Sequence, residues 1–376
     1  MRSIYIVKET SNMQNKSLKI LKLSKKRIIF ATINIGFMNP FLIDVPVLIL
    51  FFNRPYALAQ VFEQVRKARP SKLLLYQDGP RNENDYDNMD ACRKIVENID
   101  WECEVHKSYQ KENSGCDPSN YYAQKWAFSI VDKCIVFEDD SVPSVSFFSF
   151  CKELLDLYEK DERIGMISGL NHEGITENIN SDYFFSTSFS IWGWASWRRV
   201  IDKWDDKYNF LDDSSCVKQM HSLFKQRKYR DEFFNIARQH KESGKSFYET
   251  IFYSELVLNS QLSIIPKKNM IHNLGPDGGD STHYGNSIKT LPKSQRRIFT
   301  MPTYEVETPL KHTEYIIENI EYRKRLYKIM GWGHPFIKIS RSFEELYLNI
   351  RYCNFETIFT SIKKRLMKWF GKYQYK

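Results

Sequence analysis

Three short apolar runs constrain this chain more than any other feature. Val47–Phe52 reads VLILFF, Lys72–Tyr76 reads KLLLY and Cys134–Phe137 reads CIVF. Each stops at a polar turn: Asn53-Arg54-Pro55, Gln77-Asp78-Gly79-Pro80 and Glu138-Asp139-Asp140 respectively. Continuous apolar runs of this length, without the alternation of a half-exposed strand, mark strands buried on both faces. Helical patterns separate them. Ala57, Val61 and Val65 recur at helical spacing, residues 81–100 are charged and amphipathic, and Asn120–Val131 alternates helically, with Glu102–His106 a candidate strand before it. Strand and helix in alternation predict an α/β fold with a mostly parallel central sheet and flanking helices.

Beyond residue 144 the pattern changes. Phe147–Tyr158 predicts a helix, Ile164–Ser168 a strand, Phe252–Leu262 a helix and Ser263–Ile265 a short strand ending at Pro266. Asp182–Trp204 is dense in aromatics, and the Gly-rich loop GPDGGDSTHYG, Gly275–Gly285, closes the core. Pro309–Met330 predicts a charged helical linker. Last, Phe355, Ile358, Phe359, Ile362, Leu366 and Phe370 form one apolar stripe with lysines and Arg365 around its flank, a basic amphipathic helix of the kind that rests on membranes or packs on its own core. The expected organisation is a basic extension over residues 1–43, a main domain over 44–312 and a helical C-terminal extension over 313–376.

Charge is divided unevenly. Of the net +9, residues 1–43 hold +7 and residues 333–376 hold +6, which leaves −4 for residues 44–332. A nucleic-acid reader carries its basic patch on the folded core, so nucleic acid is not the expected partner. Basic ends instead suit peripheral contact with an anionic membrane surface. No apolar run is long enough to predict a spanning helix; the best stretch, from Ile28, is broken by two asparagines and a proline. No small-residue cleavage site follows it, and Met38 just before the first strand is an alternative start. Seven cysteines without a C-x-x-C pair point away from a disulfide framework and toward the cytoplasm, with the inner face of the membrane as a site of attachment.

Ligands of open parallel sheets gather at the C-terminal ends of the strands. The polar residues there are Asn53 and Arg54, Asp78, and the triplet Glu138, Asp139 and Asp140. Arg54 has the planar fork that pairs with phosphate. Asp78 is placed to accept hydrogen bonds from a base or sugar. The triplet suits a hard divalent cation, Mn²⁺ or Mg²⁺, shared with substrate phosphates. Spacing alone leans to a plainer explanation, an acidic start to a helix whose dipole welcomes carboxylates.

The segments VLILFFNRP, YQDGPR, VFEDDSVPSVSFFSFCKELLDLY and SIWGWASWRRVIDKWD shift that balance. In combination they resemble the bacterial nucleotide-diphospho-sugar transferases once loosely called hemolysin-like proteins. More distantly they are similar to N-acetylglucosaminyltransferase I, both being glycosyltransferases of the GT-A fold. The resemblance runs from Val45 to His312. It implies that Asp140 binds the metal directly with Asp139 beside it, and that Asp139 and Glu138 face the ribose and the transferred sugar. Asp78 then corresponds to a base-recognising aspartate and Arg54 to a phosphate-side arginine, while Gly193 and Trp194 lie under the donor sugar. Trp192 and Trp194 are each divided between sugar stacking and core packing, and Trp197 falls to the core. The family's catalytic base stands seventeen residues before a strand-ending proline; counted from Pro266 this is Glu249, with Glu255 its rival. The family usually shows Trp-Asp where this chain has Tyr248-Glu249, and a more basic segment where it has GCDPSNYYAQKWAF. His283 matches the family's Asp-x-Thr-His element and is a candidate for the metal or the diphosphate.

The resulting expectation is a metal-dependent, inverting glycosyltransferase. It would move a sugar from a nucleotide diphosphate, with uridine the expected base, to a glycan or lipid-linked acceptor in surface polysaccharide synthesis. The alternatives are a sugar nucleotidyltransferase, which normally carries a Gly-rich loop absent from FFNRPYAL, and a non-catalytic membrane- or carbohydrate-binding protein.

Overall fold

The computed structural model of the protein describes residues 5–7, 18–24, 27–33, 38–275 and 288–369. Residues up to Pro40, with Asp100–Glu102, make one compact unit and the remainder a second. The first contains strands β1 (Tyr5–Val7), β2 (Leu18–Ser24) and β3 (Arg27–Ile33), an antiparallel sheet in the order β1-β2-β3.

The second unit opens with the alternation read from the sequence. Strand β4 (Ile43–Phe51) is followed by α1 (Pro55–Ala68), β5 (Pro70–Gln77), α2 (Tyr86–Val96), β6 (Glu104–Tyr109), α3 (Cys116–Ile130) and β7 (Lys133–Glu138). Val47–Phe51 and Leu73–Tyr76 are buried at every position, as strands covered on both faces must be. Helix α1 starts at Pro55, whose fixed φ suits the first helical position, and ends at Arg69 in the left-handed region. Its buried face is Ala57, Leu58, Val61, Phe62 and Val65, the stripe seen in the sequence.

Next come β8 (Ser141–Pro143), α4 (Ser146–Leu157), β9 (Ile164–Ser168), β10 (Tyr183–Ser186), β11 (Trp194–Trp197) and the single turn α5 (Arg198–Ile201). Helices α6 (Ser214–Leu223), α7 (Arg227–Ser243) and α8 (Tyr248–Leu258) lead to β12 (Leu262–Pro266) and β13 (Ile271–Asn273). The chain continues through α9 (Lys293–Arg296), α10 (Ile320–Met330), α11 (Pro335–Arg351) and α12 (Phe355–Trp369).

Among the described residues, eight strands form one sheet in the order β10-β12-β9-β11-β7-β4-β5-β6. The run β7-β4-β5-β6 is parallel throughout, and β12 and β9 are parallel to each other. Strand β11 enters antiparallel between β7 and β9, and β10 pairs antiparallel with β12. The protein is therefore a mixed α/β structure with a mostly parallel central sheet. Helices α3 and α4 both pack on β4 and β7. The expected linker over Pro309–Met330 is helical only from Ile320. Before that the chain is extended, because its polar backbone is committed elsewhere: Lys311 N–H donates to Asp182 and Asn319 N–H to the Phe185 carbonyl.

A buried polar knot fixes the turn after β9. Asn171 donates to Thr176 Oγ1 and to the Pro266 and Lys267 carbonyls, all at 2.9 Å, tying this turn to the end of β12. His172, buried beside it, is pushed by desolvation from 6.5 to about 4. It is thus neutral in the fold, whereas the unfolded chain takes up the proton first. Stability is lost as pH falls from 6.5 toward 4, on the order of 2–3 kcal/mol by linkage. Chemical denaturation across this range is expected to show a shallower acid decline for His172→Phe than for the parent. An identical slope in both would remove His172 as the acid-sensitive group.

Candidate active site

The chain runs outward from β4 to β5 and β6, then returns to set β7 on the other side of β4. This reversal is the topological switch point at which open α/β sheets bind ligands. Register brings the strand ends level there. Leu50 pairs with Glu138 and Phe51 with Gln77, so the residues that follow emerge at one edge. A cleft of about 300 Å³ opens on them, lined by Asn53, Arg54, Asp78, Glu138, Asp139 and Asp140 among others. It lies at the small end of the range for ligand pockets. Six residues picked from three separate segments thus share one wall.

Arg54 sits at the N-cap of α1 and forks between the two aspartates. Its Nη2 and Nε donate to Asp139, the latter at 3.3 Å, and its Nη1 donates to Asp140 Oδ2 at 3.1 Å. Phe52 N–H also donates to Asp139 Oδ2, at 3.4 Å. The second oxygen of Asp140 accepts from Asn273 Nδ2 at 3.1 Å, since β13 pairs with β8 and places Asn273 opposite Ser141. Burial works against the Arg54 charge, but the two aspartates outweigh it and raise its pKa. Burial likewise raises Asp140 above the ordinary carboxylate value, and the guanidinium only partly offsets this.

Glu138 is held from another direction. Tyr248, fully buried in the first turn of α8, donates its hydroxyl to Glu138 Oε1 at 2.7 Å. Burial first, then Asp140, raises the Glu138 carboxyl well above its usual range; Glu249 and Asp139 add to the rise and the Tyr248 bond opposes it. Glu249 follows Tyr248 in that same first turn, close enough to Glu138 for their charges to repel. The rival Glu255 faces elsewhere: it is buried, bonded to Asn259 at the C-terminal cap of α8, and raised by burial to about 7.

Asp78 does not offer its oxygens to open space. Oδ1 accepts from Gly79 N–H at 2.9 Å and Ser114 N–H at 3.0 Å, and Oδ2 from Asn113 Nδ2 at 3.0 Å and Gly115 N–H at 3.1 Å. Four donors match the acceptor capacity of a carboxylate. In this structure Asp78 therefore clasps the 113–115 loop over the end of β5. Asn53 is similarly engaged, donating to Asp85 at 2.7 Å, which also accepts from Arg81. These bonds lower the Asp85 carboxyl, the Arg81 side chain being the largest cause.

Trp194 takes the packing side of its two expected roles and not the place under the donor sugar. Its ring is buried in the core, between Phe128 at 6.5 Å and Phe252 at 5.1 Å, because β11 is a central strand rather than a loop under the cleft. Gly193 precedes it at φ 62° with its Cβ direction filled by Ile271, so glycine is required there by packing as well as by backbone. Trp197 is buried, donating from Nε1 to the Leu155 carbonyl at 3.0 Å, and Trp192 packs on Phe299. His283 lies outside the described residues. Two cleft-shaping residues carried no signal of their own: Asn273, which only the β8–β13 pairing brings near, and Tyr248, noted solely as the neighbour of Glu249.

No group of three or more His, Cys, Asp or Glu side chains among the described residues is arranged to hold a metal ion. The donor set is two adjacent carboxylates, all oxygen, one of them fully committed to Arg54 and backbone. Such a set fits Mn²⁺ or Mg²⁺ held through Asp140 with the rest of its shell from phosphate and water. It does not fit a resident cage of protein ligands.

No protein-family model matches the sequence, and no curated protein matches it. Among solved structures, mouse xyloside xylosyltransferase 1 in its apo form aligns at 11% identity and TM-score 0.34, over 63% of this chain and 100% of its own. The inositol-1-phosphate CTP transferase of T. maritima aligns at 11% and 0.33, over 64% and 94%. The 4-diphosphocytidyl-2C-methyl-D-erythritol synthase of Anaerococcus prevotii aligns at 10% and 0.27, over 51% and 84%. At these identities and scores they carry no argument about activity.

A methyl group at Gly79 would overlap the backbone of Glu112, which cannot move without dragging the loop that Asp78 clasps. Gly79→Ala is expected to destabilise the protein by about 1–3 kcal/mol in chemical denaturation. It should also increase hydrogen exchange at Ser114 and Gly115. Unchanged exchange there would show that the clasp does not depend on this close approach.

Proposed function

We propose that the cleft binds a nucleotide diphosphate sugar and that the protein is a metal-dependent, inverting glycosyltransferase of the GT-A type. The observation that carries this reading is the convergence of Arg54, Asp139 and Asp140 on one small cleft at the strand-order reversal. Those residues leave a buried site with more carboxylate than cation. A donor that brings its own divalent cation fills such a site with balanced charge. The sequence motifs around these residues support the same reading.

In this scheme Arg54 meets the diphosphate, and Asp140, with Asp139 behind it, would hold Mn²⁺ or Mg²⁺. When bound, the ion neutralises charge on the departing diphosphate. Glu138, fixed by Tyr248, faces the transferred sugar. Glu249 takes the proton from an acceptor hydroxyl. That oxygen bonds to the anomeric carbon from the side opposite the diphosphate. The carbon–oxygen bond to the diphosphate breaks, and its electron pair leaves with the nucleoside diphosphate. The acceptor in this proposal is a glycan or a lipid-linked sugar of surface polysaccharide synthesis, and the expected base is uridine.

The test measures products and binding together. With nucleotide sugars and Mn²⁺ the protein is expected to release nucleoside diphosphate, and UDP with Mn²⁺ should raise its melting temperature. Glu249→Gln should keep that rise while turnover falls about 100-fold or more. Asp140→Ala should lose both. Release of pyrophosphate from a nucleoside triphosphate and a sugar phosphate would instead make it a nucleotidyltransferase. No melting response to any nucleoside diphosphate with either metal would overturn the proposal.

A further inference from the structure

Helices α11 and α12 carry an apolar surface that the described residues do not cover. Over the 17 residues of α11 only Leu348 and Asn349 are buried. Phe336 is 84% exposed, Phe343 70% and Tyr347 60%, with Ile339, Leu346 and Ile350 exposed beside them. At the helical repeat these six fall within an arc of about 100°, one continuous stripe. Helix α12 adds Phe355, Phe359 and Ile362, also exposed. The two stripes meet across a groove of about 470 Å³, lined by Ile339, Phe343 and Leu346 on one side and Ile358 and Ile362 on the other. Exposed aromatic and aliphatic area of this extent marks an interaction surface.

Charge selects the occupant. Residues 335–369 hold seven Lys and Arg against three Glu, whereas residues 44–332 carry a net −4. The apolar stripe therefore lies on one of the chain's two basic ends. A second copy placed on this face would set like charges against each other. An anionic bilayer satisfies both features, because phosphates meet exposed cations such as Arg351 and Lys363 while the stripe enters the acyl boundary; Lys338 and Arg341 are already bonded to Glu232 and to the Ile329 and Met330 carbonyls. No helix among the described residues is long and apolar enough to cross a membrane, so the geometry is that of helices lying in the interface.

We propose that the α11–α12 hairpin is a membrane-docking surface for anionic lipid, with Phe336, Phe343 and Phe359 entering the headgroup–acyl boundary. This goes beyond the chemistry of the cleft and stands or falls without it.

The experiment is co-sedimentation of the full chain with phosphatidylcholine vesicles, with and without phosphatidylglycerol, at low and high salt. Binding is expected to the anionic vesicles, weak to the neutral ones and reduced by salt. The double variant Phe343→Ser/Phe359→Ser should lower partitioning at least ~10-fold. Because both side chains are exposed, its melting temperature should stay unchanged. Lys363→Glu/Lys364→Glu should lower binding to anionic vesicles selectively. Equal binding to both vesicle types, or binding unaffected by the phenylalanine changes, would overturn the proposal. So would a dimer in solution that the same phenylalanine changes convert to a monomer, since the face would then belong to a second copy.

Discussion

Arg54 stands at the N-terminus of α1, and from there its guanidinium reaches across the end of β4 to two carboxylates at the end of β7. All three side chains are largely withdrawn from water. Breaking a buried ion pair of this kind costs about 3–5 kcal/mol. The ion pair is thus a condition for β4 and β7 to lie side by side with polar ends. It also sets the cleft's character. One guanidinium does not balance Glu138, Asp139 and Asp140; burial first, and then the neighbouring carboxylates, raise Glu138 and Asp140.

The remaining contacts hold the walls around that centre. Asp78 ties down the 113–115 loop on one side, and Asn53 with Arg81 ties Asp85 on another. Tyr248 brings the first turn of α8 against Glu138, and Asn273 steadies Asp140 from β13. Four segments far apart in sequence are fastened to three strand ends by hydrogen bonds to carboxylates. A site of fixed carboxylate acceptors suits a ligand that arrives with a cation.

The parallel half of the sheet was legible because its strands are buried on both faces, which leaves unbroken apolar runs ending in polar turns. Arg54 and the acidic triplet were legible for the same reason: strand ends at a reversal of order face ligands. What escaped depends on pairing across long separations. The commitment of Asp78 to a loop about thirty-five residues downstream follows from the approach of Gly79 to Glu112, which no local pattern announces. Trp194, divided between a place under the donor sugar and core packing, is core because β11 inserts antiparallel between β7 and β9, and an aromatic-rich segment reads the same in either setting. Helix α11 was overlooked beside the basic α12, although its stripe from Phe336 to Ile350 has the same helical period.

Hydrogen–deuterium exchange with and without UDP and Mn²⁺ tests most directly the proposal that the ends of β4, β5 and β7 form the donor site. Protection is expected in peptides spanning residues 52–54, 78–81, 113–116 and 138–140, and in the first turn of α8, with little change along α11 and α12. Protection confined to other regions, or none at saturating ligand, would contradict the placement of the site.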